Sequence, residues 1–119
     1  MDLNTTKEDM LERFRLYGEI YCTLATMPDN DDMDCLSIDA SEIYDELDID
    51  SDELIFDFGE EKGELHHIEI ENEMINVWYI GTSSVTCFGC SIVQVPTGTI
   101  RKLKDLLERY VKALKEDGT

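Results

Sequence analysis

From Glu53 onward the apolar residues of the chain stop recurring at helical spacing and begin to alternate, and this change of period constrains the fold more than any other feature. In "ELIFDFG" Leu54, Phe56 and Phe58 alternate with Glu53, Ile55 and Asp57. "ELHHIEIENE" and "MINVWYIG" follow, with Asn72 and Glu73 marking a reversal between them, and "SSVTCFGCSIVQV" forms a fourth segment of the same kind. Strands joined by connections this short pair as an antiparallel meander with one covered face.

The segments on either side have a helical period. "TGTIRKLKDLLERYVKALKEDG" places Ile100, Leu103, Leu107, Tyr110 and Leu114 on one stripe, with Gly118 positioned to end the helix. Near the N-terminus a helix is expected over about residues 6 to 26, opened by Thr5 as N-cap with Glu8 in capping-box spacing. Its expected buried stripe is Met10, Phe14, Tyr17, Tyr21 and Leu24, and Gly18 within it costs up to about 1 kcal/mol relative to alanine. After the loop "MPDNDDMD", a short helix over about residues 40 to 48 has Asp39 as N-cap, Glu42 at the third position and Ile38 and Ile43 spaced as a hydrophobic staple. It buries Ala40, Ile43, Tyr44 and Leu47, leaving Glu42, Asp45 and Glu46 on one exposed face. The expected fold is α+β: an antiparallel β-meander of about four strands with an N-terminal helix, a short acidic helix and a C-terminal amphipathic helix. All 119 residues, 1–119, make one compact domain, a length that buries roughly two thirds of the surface of the unfolded chain.

Charge is the second constraint. The net charge is -18, and nineteen of the 28 Asp and Glu residues lie between residues 28 and 73 against the single cation Lys62, so this block carries the whole excess. Acid added for solubility alone would be spread more widely. Leu36, Ile38, Ile43, Tyr44, Leu47, Leu54, Ile55, Phe56 and Phe58 run through the block at spacings that fold, which argues against a disordered acidic tail. Six of the ten basic residues, Arg101, Lys102, Lys104, Arg109, Lys112 and Lys115, sit on the C-terminal helix, where they suggest an internal counter-charge to the block or an ordinary amphipathic face.

No catalytic constellation is complete, and the reading is of a protein without enzymatic activity or cofactor. "CFGC" (Cys87 and Cys90) has zinc-knuckle or redox spacing, but Cys22, on the inside of a helix, and Cys35, in an acidic loop, form no second pair, so buried reduced cysteines are expected and zinc is a distant alternative. His66 and His67 are expected to point to opposite faces of their strand, one inward and one outward, and Trp78 to lie in the core. "DIDSD" opens like a calcium loop, with Asp48, Asp50 and Asp52 at the first, third and fifth positions. It then fails, because Glu53 stands where glycine is needed and Gly59 where glutamate is. Glu69 and Glu71 share a strand face without the lysine that nuclease sites use, and a surface this acidic repels nucleic acid. "MDLNTTKEDM" shows no basic patch followed by an apolar run, and no stretch is long and apolar enough for a membrane span. The expected location is cytoplasmic, the host cytoplasm if the protein is viral.

Preorganised carboxylates can occupy a groove built to grip DNA phosphates. In size and composition, though not in any motif, the chain resembles the DNA-mimicking inhibitors that phages use against restriction enzymes and CRISPR effectors, and the acidic immunity proteins that neutralise basic nuclease toxins. The resemblance implies a basic partner, a nucleic-acid-binding enzyme or nuclease. The expected partner-binding residues are Asp29, Asp31, Asp32, Asp34, Asp39, Glu42, Asp45, Glu46, Asp48, Asp50, Asp52, Glu53, Glu60 and Glu61. The alternative is a structural or regulatory homo-oligomeric domain whose sheet edge or helix stripe pairs with itself.

Overall fold

Strands β3 (Lys62–Glu71) and β4 (Met74–Gly81) form the hairpin around which the rest of the molecule assembles. Asn72 and Glu73 turn it with φ of 51° and 66°, the doubly left-handed conformation of a tight hairpin turn whose twist matches that of the strands. The structure, a computed structural model, describes residues 3–28, 35–59, 61–82 and 86–117. On one side of the hairpin β5 (Cys87–Ser91) pairs antiparallel with β4; on the other, β1 (Ser37–Asp39) and β2 (Ile55–Asp57) both pair antiparallel with β3, one beyond the other. The expected meander is therefore β2 to β5, and β1 is a fifth strand that three residues of mixed character do not announce. The second strand is shorter than expected, because Ser51–Leu54 forms a 3-10 turn before it.

Three helices cover one face of this sheet: α1 (Leu3–Ala25), α2 (Ala40–Leu47) and α3 (Thr97–Asp117). The middle helix of the layer is α3, with α1 on its β5 side and α2 on its β1 side. That position explains its wide buried stripe, in which Leu106 and Val111 join the expected Ile100, Leu103, Leu107 and Tyr110. Opposite them the sheet contributes Ile38, Leu65, Ile68, Ile70, Ile75 and Val77, with Phe58 stacked on Tyr79 at 4.1 Å. No described helix is long and apolar enough to cross a membrane.

At α2 the expected start is observed. The Asp39 N–H donates to Glu42 Oε2 at 2.8 Å, and Ile38 and Ile43 are both buried. The first helix departs from expectation twice. It begins at Leu3, so Thr5 lies inside it instead of capping it. Its buried residues are Leu16, Ile20 and Leu24, whereas Met10 and Phe14 are 51% and 55% exposed and Tyr17 and Tyr21 are half-buried. The physical reason is a polar anchor. Arg13 Nη1 donates to the Val93 carbonyl at 3.0 Å, Arg13 Nε donates to Thr97 Oγ1 at 3.2 Å, and Arg13 pairs with Asp9 at 2.9 Å. These contacts turn the side of α1 that bears Arg13 inward and the Phe14 side outward.

Candidate functional site

Between Asp45 and Glu53 the chain reads "DELDIDSDE", in which every residue except Leu47, Ile49 and Ser51 is acidic. Three elements hold it in place. Asp45 and Glu46 stand on the last turns of α2, which is fixed by buried Ala40 and Ile43 and by the Tyr44 hydroxyl donating to Glu64 Oε1 at 2.7 Å. Burial first, and then the Glu64 hydrogen bond and charge, push the Tyr44 pKa up to about 12, so this phenol stays protonated as a donor. Asp48 caps the helix at φ 53°, a left-handed position that aspartate tolerates better than most residues, and its N–H and that of Ile49 both reach the Tyr44 carbonyl. Asp50, Asp52 and Glu53 then ride on the 3-10 turn, closed by the Glu53 N–H donating to the Asp50 carbonyl at 3.1 Å and anchored by buried Leu54.

Asp45, Asp48, Asp50, Asp52 and Glu53 are exposed and Glu46 is half-buried, so the structure gathers these six residues into one negative ridge. Asp39 and Glu42 border it at the start of α2, engaged with each other in the cap. Glu61 is half-buried at the β2–β3 turn, with its carboxylate packed where a side chain at Gly81 would stand. Asp29, Asp31, Asp32, Asp34 and Glu60 lie outside the described residues.

The ridge conflicts with its own helix. The C-terminal end of α2 carries the negative pole of the helix dipole, so acids there cost stability, and α2 has no basic residue in its last turn to offset them. The basic helix α3 divides its cations between its two neighbours. Arg101 Nε donates to Glu12 Oε1 at 3.0 Å, and Lys104 reaches Glu108 at 2.8 Å and Glu19 at 3.9 Å, so these two cations tie α3 to α1. Arg101, Lys102 and Arg109 meet the acidic block along a groove of about 330 Å³ shared with Glu53 and Phe56. Tyr110 of α3 lies against α2; burial, followed by the charges of Glu42 and Glu46, pushes its pKa up to about 12.

The histidines are placed otherwise than the alternation implies. Leu65 and Ile68 both face the core at an odd spacing, which a regular strand cannot achieve, and a bulge between Leu65 and His67 absorbs the extra residue. Neither histidine points inward. Their Nδ1 atoms lie 2.6 Å apart, and the His67 ring stacks on Trp78 at 5.5 Å on the sheet face away from the helices. Trp78 is thus half-buried outside the core; its Nε1 donates to Glu69 Oε1 at 2.9 Å and its ring lies so flat over Gly89 that a Cβ there would come within 2.7 Å of it. His67, Trp78 and Gly89 thus stand side by side on three neighbouring strands, on the sheet face that no described helix covers. The odd Leu65-to-Ile68 spacing was the sequence signal for this arrangement.

The cysteines also differ from expectation. Cys22 is exposed on α1 instead of lying inside it, and Cys87 is exposed and Cys90 half-buried instead of both being buried. Cys87 pairs with Ile80 and Cys90 with Val77, residues on opposite sheet faces, so the two thiols of "CFGC" diverge. Among the described residues no group of three or more His, Cys, Asp or Glu side chains is placed to hold a metal ion. The chain matches no family model, no curated protein and no solved structure.

Proposed function

We propose that the protein is a non-catalytic binding protein that occludes a basic, nucleic-acid-handling partner with the acidic ridge of α2 and the turn after it. The observation that carries this reading is the run from Asp45 to Glu53, held on folded elements at the end of a helix where the same carboxylates cost stability. A sequence selected for stability alone would not place them there. Fixed charges meet a basic groove without an ordering penalty, and their long-range field speeds the encounter. The fitting role is that of a phage inhibitor of restriction or CRISPR enzymes, or of an immunity protein, acting in the cytoplasm and needing neither cofactor nor nucleic acid.

The test compares the parent with a variant in which Asp45, Glu46, Asp48 and Asp50 are changed to lysine. The immobilised parent should capture a basic nucleic-acid enzyme in about 50 mM salt and release it in about 1 M, because screening shortens the reach of the charges. The variant should lose the same partner, with an association rate lower by about 10- to 1000-fold. Equal capture by parent and folded variant would refute the reading.

A further inference from the structure

We infer that the outward face of α1 is the docking surface for a second copy of this chain. Between Met10 and Ala25 every charged side chain of α1 is already in an ion pair: Arg13 with Asp9, Arg15 with Glu12 and Glu19, and those two glutamates with Arg101 and Lys104 of α3. What remains facing solvent from Met10 onward is an apolar arc bordered by the exposed Arg15, with Met10, Leu11 and Phe14 on it at 51%, 62% and 55% exposure; the exposed Lys7 and Glu8 stand one turn before it. Cys22 and Ala25 continue it as exposed residues. A helix that is apolar toward the core and uncharged away from it has the pattern of a helix covered on both sides. In a chain that is 32% charged, an outer arc with no charge of its own from Met10 to Ala25 is not an accident of composition.

Gly18 is an independent observation on the same arc. A Cβ there would meet nothing within 4 Å, so the fold of the single chain does not require glycine, which weakens the helix interior. A flat spot amid large apolar residues has a purpose when another backbone approaches closely.

Electrostatics selects the occupant. Among the described residues a basic partner finds only Glu8, at the N-terminal margin of this arc and beside the cation Lys7, to attract it. Two copies at a net charge of -18 each repel one another wherever their acidic faces approach. The described carboxylates of β1, α2 and β2 lie on the far side of α3 from α1. A twofold contact through α1 therefore brings together the faces that repel least and leaves both acidic ridges pointing outward. The salt response is then opposite in sign to that of partner capture: self-association strengthens as salt rises.

Sedimentation equilibrium of the full chain over about 10 to 500 μM, at about 50 mM and about 500 mM salt, tests this. The expected result is a monomer–dimer equilibrium that shifts toward dimer at the higher salt. Phe14→Glu and Leu11→Glu, at exposed positions, should each retain the parent circular dichroism and weaken the dimer about a hundredfold, since each buries an unpaired charge in the contact. A chain that stays monomeric throughout, or a dimer that survives both substitutions in folded protein, overturns the inference.

Discussion

The two flanks of the helical layer use charge in opposite ways. On the α2 flank, six of the nine residues from Asp45 to Glu53 are acids, and the apolar residues between them are turned in toward the core. On the α1 flank, charges are drawn into ion pairs with α3 and the outer arc is left apolar. Each flank gives up something a lone stable domain would keep: the first tolerates like charges and an adverse helix dipole, the second exposes Leu11 and Phe14 to water. The lesson is that the net charge of -18 is positioned, not spread, and that both departures from maximal stability point outward.

The largest test of this contrast lies within α1. Ile20→Ala, at a fully buried position, should cost about 2 to 5 kcal/mol in urea unfolding, whereas Phe14→Ala should cost less than about 0.5 kcal/mol in the monomer. Comparable losses at the two positions would mean that the outer arc packs on its own chain.

On the α2 flank the sign reverses. Replacing the exposed Asp45 and Asp50 together by lysine should raise unfolding free energy by about 1 kcal/mol at low salt, because favourable charge now stands at and just beyond the negative pole of the helix. A loss of stability on that substitution would remove the argument that the ridge opposes the fold.

A smaller gain is expected at the hairpin that lies between the two flanks. Glu73 sits at φ 66° and glycine adopts that conformation without steric cost, so Glu73→Gly should stabilise by roughly 0.5 to 1 kcal/mol in thermal or urea melts. The Tyr17 hydroxyl donates to the Glu73 carbonyl, a backbone contact that the substitution keeps.

The smallest effect belongs to the α1–α3 seam and appears only in acid. The Arg101 hydrogen bond holds the Glu12 pKa below its ordinary 4.5, and Asp9, hydrogen-bonded by Thr97 and beside Arg13, is likewise lowered from 3.8. Groups lowered in the folded state stabilise above their ordinary values and lose that contribution as pH falls through the folded ones. The contribution of this seam should therefore decline as pH drops below about 4.5 toward 3, and it should appear as the difference between the acid limbs of the parent and Glu12→Gln in a pH series of urea melts. An unchanged acid limb in the variant would show that the seam does not depend on this pair.

Much of this architecture follows from the residues alone. The change from helical to alternating period, the Asn72–Glu73 reversal, the Asp39 cap with its Ile38–Ile43 staple and the place of the acid block are each set by backbone geometry within a few residues, and all are legible in the sequence. Four features are not, and for one reason: each depends on what stands across from a segment. Which stripe of α1 turns inward was decided by the Val93 carbonyl and Thr97, which accept from Arg13 and so draw Leu16, Ile20 and Leu24, on the same side as Arg13, toward the core. The pairing of Ser37–Asp39 with β3 needed the free side of that strand. The ion pairs of Arg101 and Lys104 went to α1, because α3 packs along it there. And the bulge that puts both histidines outside the core arose because Leu65 and Ile68 both had to reach the same helices, a demand that periodicity records only as an irregularity and that the tertiary structure resolves by displacing one residue.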